Sequence, residues 1–183
     1  MGHLVITIGC EYGAKGNAIG RKIAEDLGIK FYDRELVDQI IEEVGIPKDI
    51  MNRVEEGGTI AGKGAEGDVR GSFSKYADLT ERAIHVQKQI IRKLAEKEAC
   101  VIIGRCSNYI LKDRKDTLNF FVYAPEEVRI QATMEKKNIG RKEAAELVKY
   151  HDEMLHSRYK YMTGSYRGCL LYTSPSPRDS TSS

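Results

Sequence analysis

Three places in this sequence carry residue types suited to handling phosphate. The first is Gly9 to Gly16 (GCEYGAKG), a stretch with three glycines and a single cation, Lys15. It lies between an apolar, β-branched run, Leu4 to Ile8, and a helical pattern. A glycine loop in that position turns backbone N–H groups toward one point, and the helix start adds about half a positive charge. Together these make a phosphate cradle. The spacing departs from G-x-x-x-x-G-K-[ST]. Gly16 and Asn17 stand where Lys and Ser/Thr are expected, and Lys15 lies one place early. A G-x-G-x-x-G dinucleotide pattern is also absent. The competing reading is a tight strand-to-helix turn that holds no ligand.

The second place is Gly104-Arg105, directly after the apolar run Cys100 to Ile103. A charged side chain at the end of a buried strand needs a partner. A phosphate would serve, and so would a carboxylate such as Asp33. The third is Asp33 itself, which follows a short strand and is well placed to cap the next helix. Lys136-Lys137 and Arg141-Lys142 form a basic stretch that reads either as part of a site or as a solvated helix junction. His85 and His156 fall on predicted helices and read as packed or solvated. Tyr109, Tyr150, Tyr159 and Tyr161 read as packing or rim residues.

These positions need a scaffold, and the hydrophobic pattern supplies one. Ile19, Ile23 and Leu27, with Ala24, predict a helix after the glycine loop that Gly28 closes. Ile29 to Tyr32 reads as a second strand. Leu36, Val37, Ile40, Ile41 and Val44 form the apolar face of the helix that follows, and Gly45 ends it. Pro47 is suited to opening another short helix. Residues 57–71 hold six glycines and read as a loop. A long helix is expected over about 79–97, with Ala83, Val86, Ile90 and Leu94 as its buried stripe. Cys100 to Ile103 and Leu118 to Tyr123 read as strands. Pro125 with Glu126-Glu127 opens a helix that Asn138 to Gly140 break, and a final helix runs from about Arg141 to Met162. Strands separated by helices predict a parallel sheet covered on both faces, a three-layer α/β/α fold. Ligands bind such sheets at the carboxyl ends of the strands, where the glycine loop, Asp33 and Arg105 all fall.

At this point ITIGCEYGAKGNAIGRKIAEDLGIKFYDREL, VIIGRCSNYIL, FFVYAPEEVRI and RYKYMTG together resemble the cytidylate kinase-like family, over about Val5 to Gly164. The resemblance implies a P-loop NTPase-type core with a degenerate Walker motif, a helical monophosphate-binding insertion (about residues 33–78) and a small lid (about 136–142), within a domain spanning 1–168. It implies magnesium- and ATP-dependent phosphorylation of a nucleoside monophosphate, CMP or dCMP. Under it, Gly9, Glu11, Tyr12, Gly13, Ala14, Lys15, Gly16, Asn17 and Ala18 belong to the ATP loop. Asp33, Arg34, Arg105 and Asp152 would hold the acceptor. Lys15, Arg129, Arg141 and Arg158 would be the catalytic cations, with Lys136, Lys137 and Lys142 beside Arg141 in the lid. This chain departs from the family at Ala14, Lys15 and Asn17. It also departs after Asp152, where Glu153, Met154 and Leu155 replace a D-K-x-R pattern. Two other readings therefore stand beside the kinase: a nucleotide-binding module without catalysis, and a P-loop kinase with another acceptor. The family pattern continues past Tyr159-x-Tyr161-x-Thr163-Gly164 into a further strand and helix. From about Cys169 this chain instead reads as a disordered tail or translated adaptor sequence, so a C-terminally truncated domain with one open sheet edge is expected.

Composition limits the alternatives. The 183 residues carry 41% hydrophobic and 31% charged side chains, as a single globular domain does. A net charge of +2 gives no basis for nucleic-acid binding, so any anion site must be local. No apolar run approaches the roughly 20 residues of a membrane span, and no secretory leader is evident at the start. The four cysteines lack metal-ligand spacing, so no structural metal is expected and a cytoplasmic setting with reduced thiols is.

Overall fold

The computed structural model describes residues 2–46, 50 and 69–164, with the side chains of 69–79 left aside. The chain runs β1 (Val5–Cys10), α1 (Gly16–Leu27), β2 (Lys30–Tyr32), α2 (Arg34–Glu43), α3 (Val69–Lys97), β3 (Cys100–Ile103), α4 (Ser107–Ile110), β4 (Thr117–Val122), α5 (Glu126–Lys137) and α6 (Arg141–Thr163). The four strands form one parallel sheet in the order β2-β3-β1-β4. Val5 pairs with Cys100 and Ile8 with Ile103, so β1 and β3 end level. The connection leaving β1 goes toward β2, while the one leaving β3 crosses to β4 on the other side. The crevice between β1 and β3 is thus the topological switch point, the place where such sheets bind ligands.

Strand alternation sorts the core into two layers. Ile6, Ile8, Val101 and Ile103 face α1 and pack with Ala24. Val5, Cys100 and Ile102 face the other way, into a cluster with Val37 and Ile41 of α2, Ala83 and Ile91 of α3, and Met162 of α6. A third cluster, Ile130 with Ala144 and Val148, fastens α5 to α6. The expected α/β architecture with a helix-covered parallel sheet is present. Among the described residues β4 is the sheet edge beyond β1, and its Leu118 and Phe120 are about half exposed.

Several elements differ from expectation. In α1 the buried line is Gly16, Gly20 and Ala24, while Ile19 and Leu27 are exposed. The small residues let the helix axis approach the sheet. A Cβ on Gly20 would come within 2.5 Å of the Ile103 Cδ1 and 3.1 Å of the Ile8 Cδ1. Alanine in a helix interior normally stabilises relative to glycine by about 0.5–1 kcal/mol. Here Gly20→Ala is expected to destabilise by about 1–3 kcal/mol through overpacking; equilibrium denaturation checks the sign. In α2, Val37 and Ile41 are fully buried, but Leu36 and Val44 are exposed, so its apolar face is narrower than the spacing predicts. Helix α3 starts at Val69, within the stretch expected to be loop and ten residues before the expected start. The rest of that glycine-rich stretch, the Pro47 helix start, and the tail from 165 lie outside the described residues. Among the described residues no helix is long and apolar enough to cross a membrane. Cys10, Cys100 and Cys106 form no disulfide among the described residues.

Candidate active site

The loop after β1 is bent, not straight. The Glu11 amide donates to the Val122 carbonyl at 3.0 Å, and the Ala14 amide closes a turn on the Glu11 carbonyl at 3.2 Å. Gly13 has φ 81°, and its Cα sits so close to the Arg129 carbonyl that a Cβ would lie 2.7 Å from it. Lys15 caps α1 in the left-handed region, φ 60°, a conformation that costs a non-glycine residue about 1–2 kcal/mol. The Ile19 amide is the first in the helix to reach a carbonyl, that of Lys15 at 3.1 Å. The amides of Gly16, Asn17 and Ala18 are thus the unpaired start of the helix, with Lys15 at their head. A Cβ on Gly16 would strike Cys10, so only glycine lets the helix begin this close to β1. Lys15 also lines a cleft of about 300 Å³ whose other wall is Glu127, Val128, Gln131, Ala132 and Glu135 of α5.

Arg129 and Asp152 hold this loop. Arg129 is buried and donates from Nε to the Ala124 carbonyl at 3.1 Å and from Nη1 to the Tyr12 carbonyl at 3.3 Å. It pairs with Asp152 and with the Glu11 carboxylate. The other oxygen of Asp152 accepts the Tyr12 amide at 3.0 Å. The Tyr12 ring stacks on His151 with centroids 4.2 Å apart. Burial, and then the charges of Arg34 and Lys137, lower the His151 pKa from its ordinary value.

A second cluster lies at the ends of β2 and β3. Gly104, Arg105 and Cys106 all take positive φ (66°, 54° and 53°), which aims the Arg105 side chain back into the protein. That side chain is fully buried and pairs with Asp38 on α2. Burial lowers its pKa to about 10 despite the partner. Arg158 of α6 is also buried, and burial followed by the charge of Arg105 lowers its pKa to about 9. Arg34, the first residue of α2, is lowered by burial and then by Arg105. Burial raises the Asp38 carboxyl, and the three arginines oppose that rise. Asp38 is the carboxylate felt by all three guanidiniums, and Glu35 also acts on Arg34. Gln87 of α3, fully buried, donates to the Arg105 carbonyl at 3.0 Å and accepts from Arg158 Nη2 at 2.8 Å.

The structure therefore brings together the loop from Gly9 to Ala18 with Arg129 and Asp152, and beside them Arg34, Arg105 and Arg158. Asp33 caps α2, its carboxylate accepting the Leu36 amide at 2.9 Å, and pairs with Arg21 at 3.5 Å. The carboxylate partner of Arg105 is Asp38, where the sequence had offered Asp33. Asp152, expected with the acceptor residues, sits instead at the glycine loop, bound to Tyr12 and Arg129. Arg141 stands on the surface in a two-pronged pair with Glu127, at 2.8 and 2.6 Å. Sequence reasoning passed over Asp38, Gln87 and His151. Arg34 and Asp38 are four apart on one helix face, a readable ion-pair spacing. Gln87 is a polar residue four beyond Ala83 in an apolar stripe.

The sequence matches the cytidylate kinase-like family over residues 5–172. A crystal structure of an uncharacterised protein from Eubacterium ventriosum ATCC 27560 is similar, at TM-score 0.68 and 26% identity, covering 91% of this chain and 83% of that one. A shikimate kinase from Acinetobacter baumannii, solved in complex with shikimate, aligns at TM-score 0.43 and 18% identity, covering 85% of this chain and 80% of that one. A search of curated proteins finds no match. The family match runs from the start of β1 past the end of α6 and takes in both clusters, and so this chain belongs to the cytidylate kinase-like family.

Proposed function

We propose that this protein transfers the γ-phosphate of ATP, bound as its magnesium complex, to a nucleoside monophosphate, CMP or dCMP. Family membership supports a nucleotide kinase and directs the choice of acceptor. The observation that carries the reading is the placement of two anion-ready clusters on either side of one switch point. On one side, the amides opening α1 and the Lys15 ammonium receive the ATP phosphates. On the other, Arg34, Arg105 and Arg158 receive the acceptor's phosphate. Phosphoryl transfer needs mostly positioning and cations around the moving group, and two such sites on one edge supply both. In this proposal Arg129 and Asp152 position the loop rather than touch the nucleotide. Arg141 reaches the reaction only by leaving Glu127, which fits a lid around residues 136–142 that closes on substrate.

The test is ATP turnover by purified protein with a panel of acceptors. The expected result is ADP formation that depends on magnesium and is fastest with CMP or dCMP. No turnover with any monophosphate contradicts it, and preference for a non-nucleotide contradicts the acceptor. One observation favours a second reading, a nucleotide-binding module without catalysis: Arg129 and Arg141 are both engaged by carboxylates. ATP binding without transfer would select that reading.

A further inference from the structure

We infer that Gln87 is a positioning residue for the acceptor site, setting two arginines in register through a single buried amide; this rests on the nucleotide-kinase reading above. Gln87 lies on α3 and touches neither cluster's outer surface; its exposure is zero. Its Oε1 fixes Arg158, which comes from α6, and its Nε2 fixes the main-chain carbonyl of Arg105, which follows β3. Met162, one turn beyond Arg158, closes the same slot, with its sulfur 3.8 Å from Nε2.

Both attachments are needed for a defined geometry. Arg105 and Cys106 hold left-handed backbone conformations without being glycine. Such conformations persist only where the surroundings over-determine them, and the hydrogen bond from Gln87 to the Arg105 carbonyl does that. Arg158 carries a long, rotamer-rich side chain and feels the repulsion of Arg105 and Arg34. A neutral acceptor holds its guanidinium in place without cancelling its charge. A glutamate there would hold Arg158 more tightly but remove one positive charge from the cluster. A glutamine satisfies both arginines and leaves their charge available to a dianionic phosphate.

The test uses the full chain with Gln87→Met, which keeps the volume and removes both hydrogen bonds, and Gln87→Glu, which keeps an acceptor for Arg158. Affinities for CMP and for ATP are measured separately by calorimetry. Both variants are expected to weaken CMP about tenfold, Gln87→Met by loosening Arg158 and Gln87→Glu by releasing the Arg105 carbonyl and cancelling one positive charge, with ATP affinity unchanged. Gln87→Glu should do so with Arg158 still held, its second carboxylate oxygen facing the Arg105 carbonyl where the amide had a donor. A purely structural role would move both ligands alike or neither, and either outcome overturns the inference. Should Gln87→Met fail to fold, Gln87→Glu alone decides. If wild type binds ATP and CMP but Gln87→Glu binds CMP equally well, the inference fails and the kinase reading stands. If wild type binds no monophosphate, both fall.

Discussion

Replacing Lys15 by glycine is expected, under the proposed kinase reading, to cut phosphoryl transfer sharply while leaving the fold as stable as wild type or more so. The two effects have separate causes. Lys15 sits in the left-handed region at the head of α1, a strain of about 1–2 kcal/mol that glycine does not carry. Glycine's greater freedom in the unfolded chain offsets part of that gain, about 0.5–1 kcal/mol. The net change in stability is therefore small and not destabilising. Activity responds in the opposite sense. Lys15 is the cation at the point where the helix amides converge, and losing one preorganised donor at developing charge costs about 100- to 1000-fold in turnover. Lys15→Ala separates the contributions, since it loses the charge but keeps the strain. Steady-state kinetics and denaturant titration on the two variants check the prediction. A glycine variant that is fully active would show that Lys15 is an ordinary turn residue.

The second large effect falls on Asp38. Its pair with Arg105 is costly in isolation, because burial pushes both groups toward their neutral forms. Removing one partner is costlier still, since the buried guanidinium loses its ion pair, a loss of about 3–5 kcal/mol. Asp38→Ala is therefore expected to lower stability by that amount, near the limit of what a domain of this size tolerates. A bound dianion can take the place of the missing carboxylate. The variant should accordingly be stabilised more by phosphate or by CMP than wild type is, read as a larger rise in melting temperature at equal ligand concentration. A loss under about 1 kcal/mol would mean that the pair is solvent-screened and that Arg105 is not held for a ligand.

The parts of the fold legible in the sequence were those that depend on strand burial and chain punctuation. VITI (Val5 to Ile8) and CVII are buried neighbours, as continuous apolar runs predict, while Leu4 before them is exposed. Gly28, Asn138 and Gly164 end helices in left-handed conformations, and Gly140 opens one. What escaped was packing that apolar periodicity does not encode. The inner face of α1 consists of Gly16, Gly20 and Ala24, which give no hydrophobic signal because their role is to let backbones approach. The long helix α3 begins beside glycines that spoke against it. At the site, the loop and Arg105 were legible because each follows a buried strand. The partners of Arg105 were not, because Asp38 and Gln87 become neighbours only once α2 and α3 pack on the same face of the sheet. Arg129 illustrates the same limit. Its place at the head of a helix was readable, but its four contacts to Ala124, Tyr12, Glu11 and Asp152 are tertiary.

The central claim is that the amides opening α1 bind a polyphosphate. Titrating isotope-labelled protein with a non-hydrolysable ATP analogue and magnesium, and following individual backbone amides by NMR, tests it directly. Saturable shifts are predicted for Gly13 and for Lys15, Gly16, Asn17 and Ala18, with smaller ones at Tyr12, whose amide stays on Asp152. Shifts absent from those five amides, or confined to a distant surface, would contradict the account.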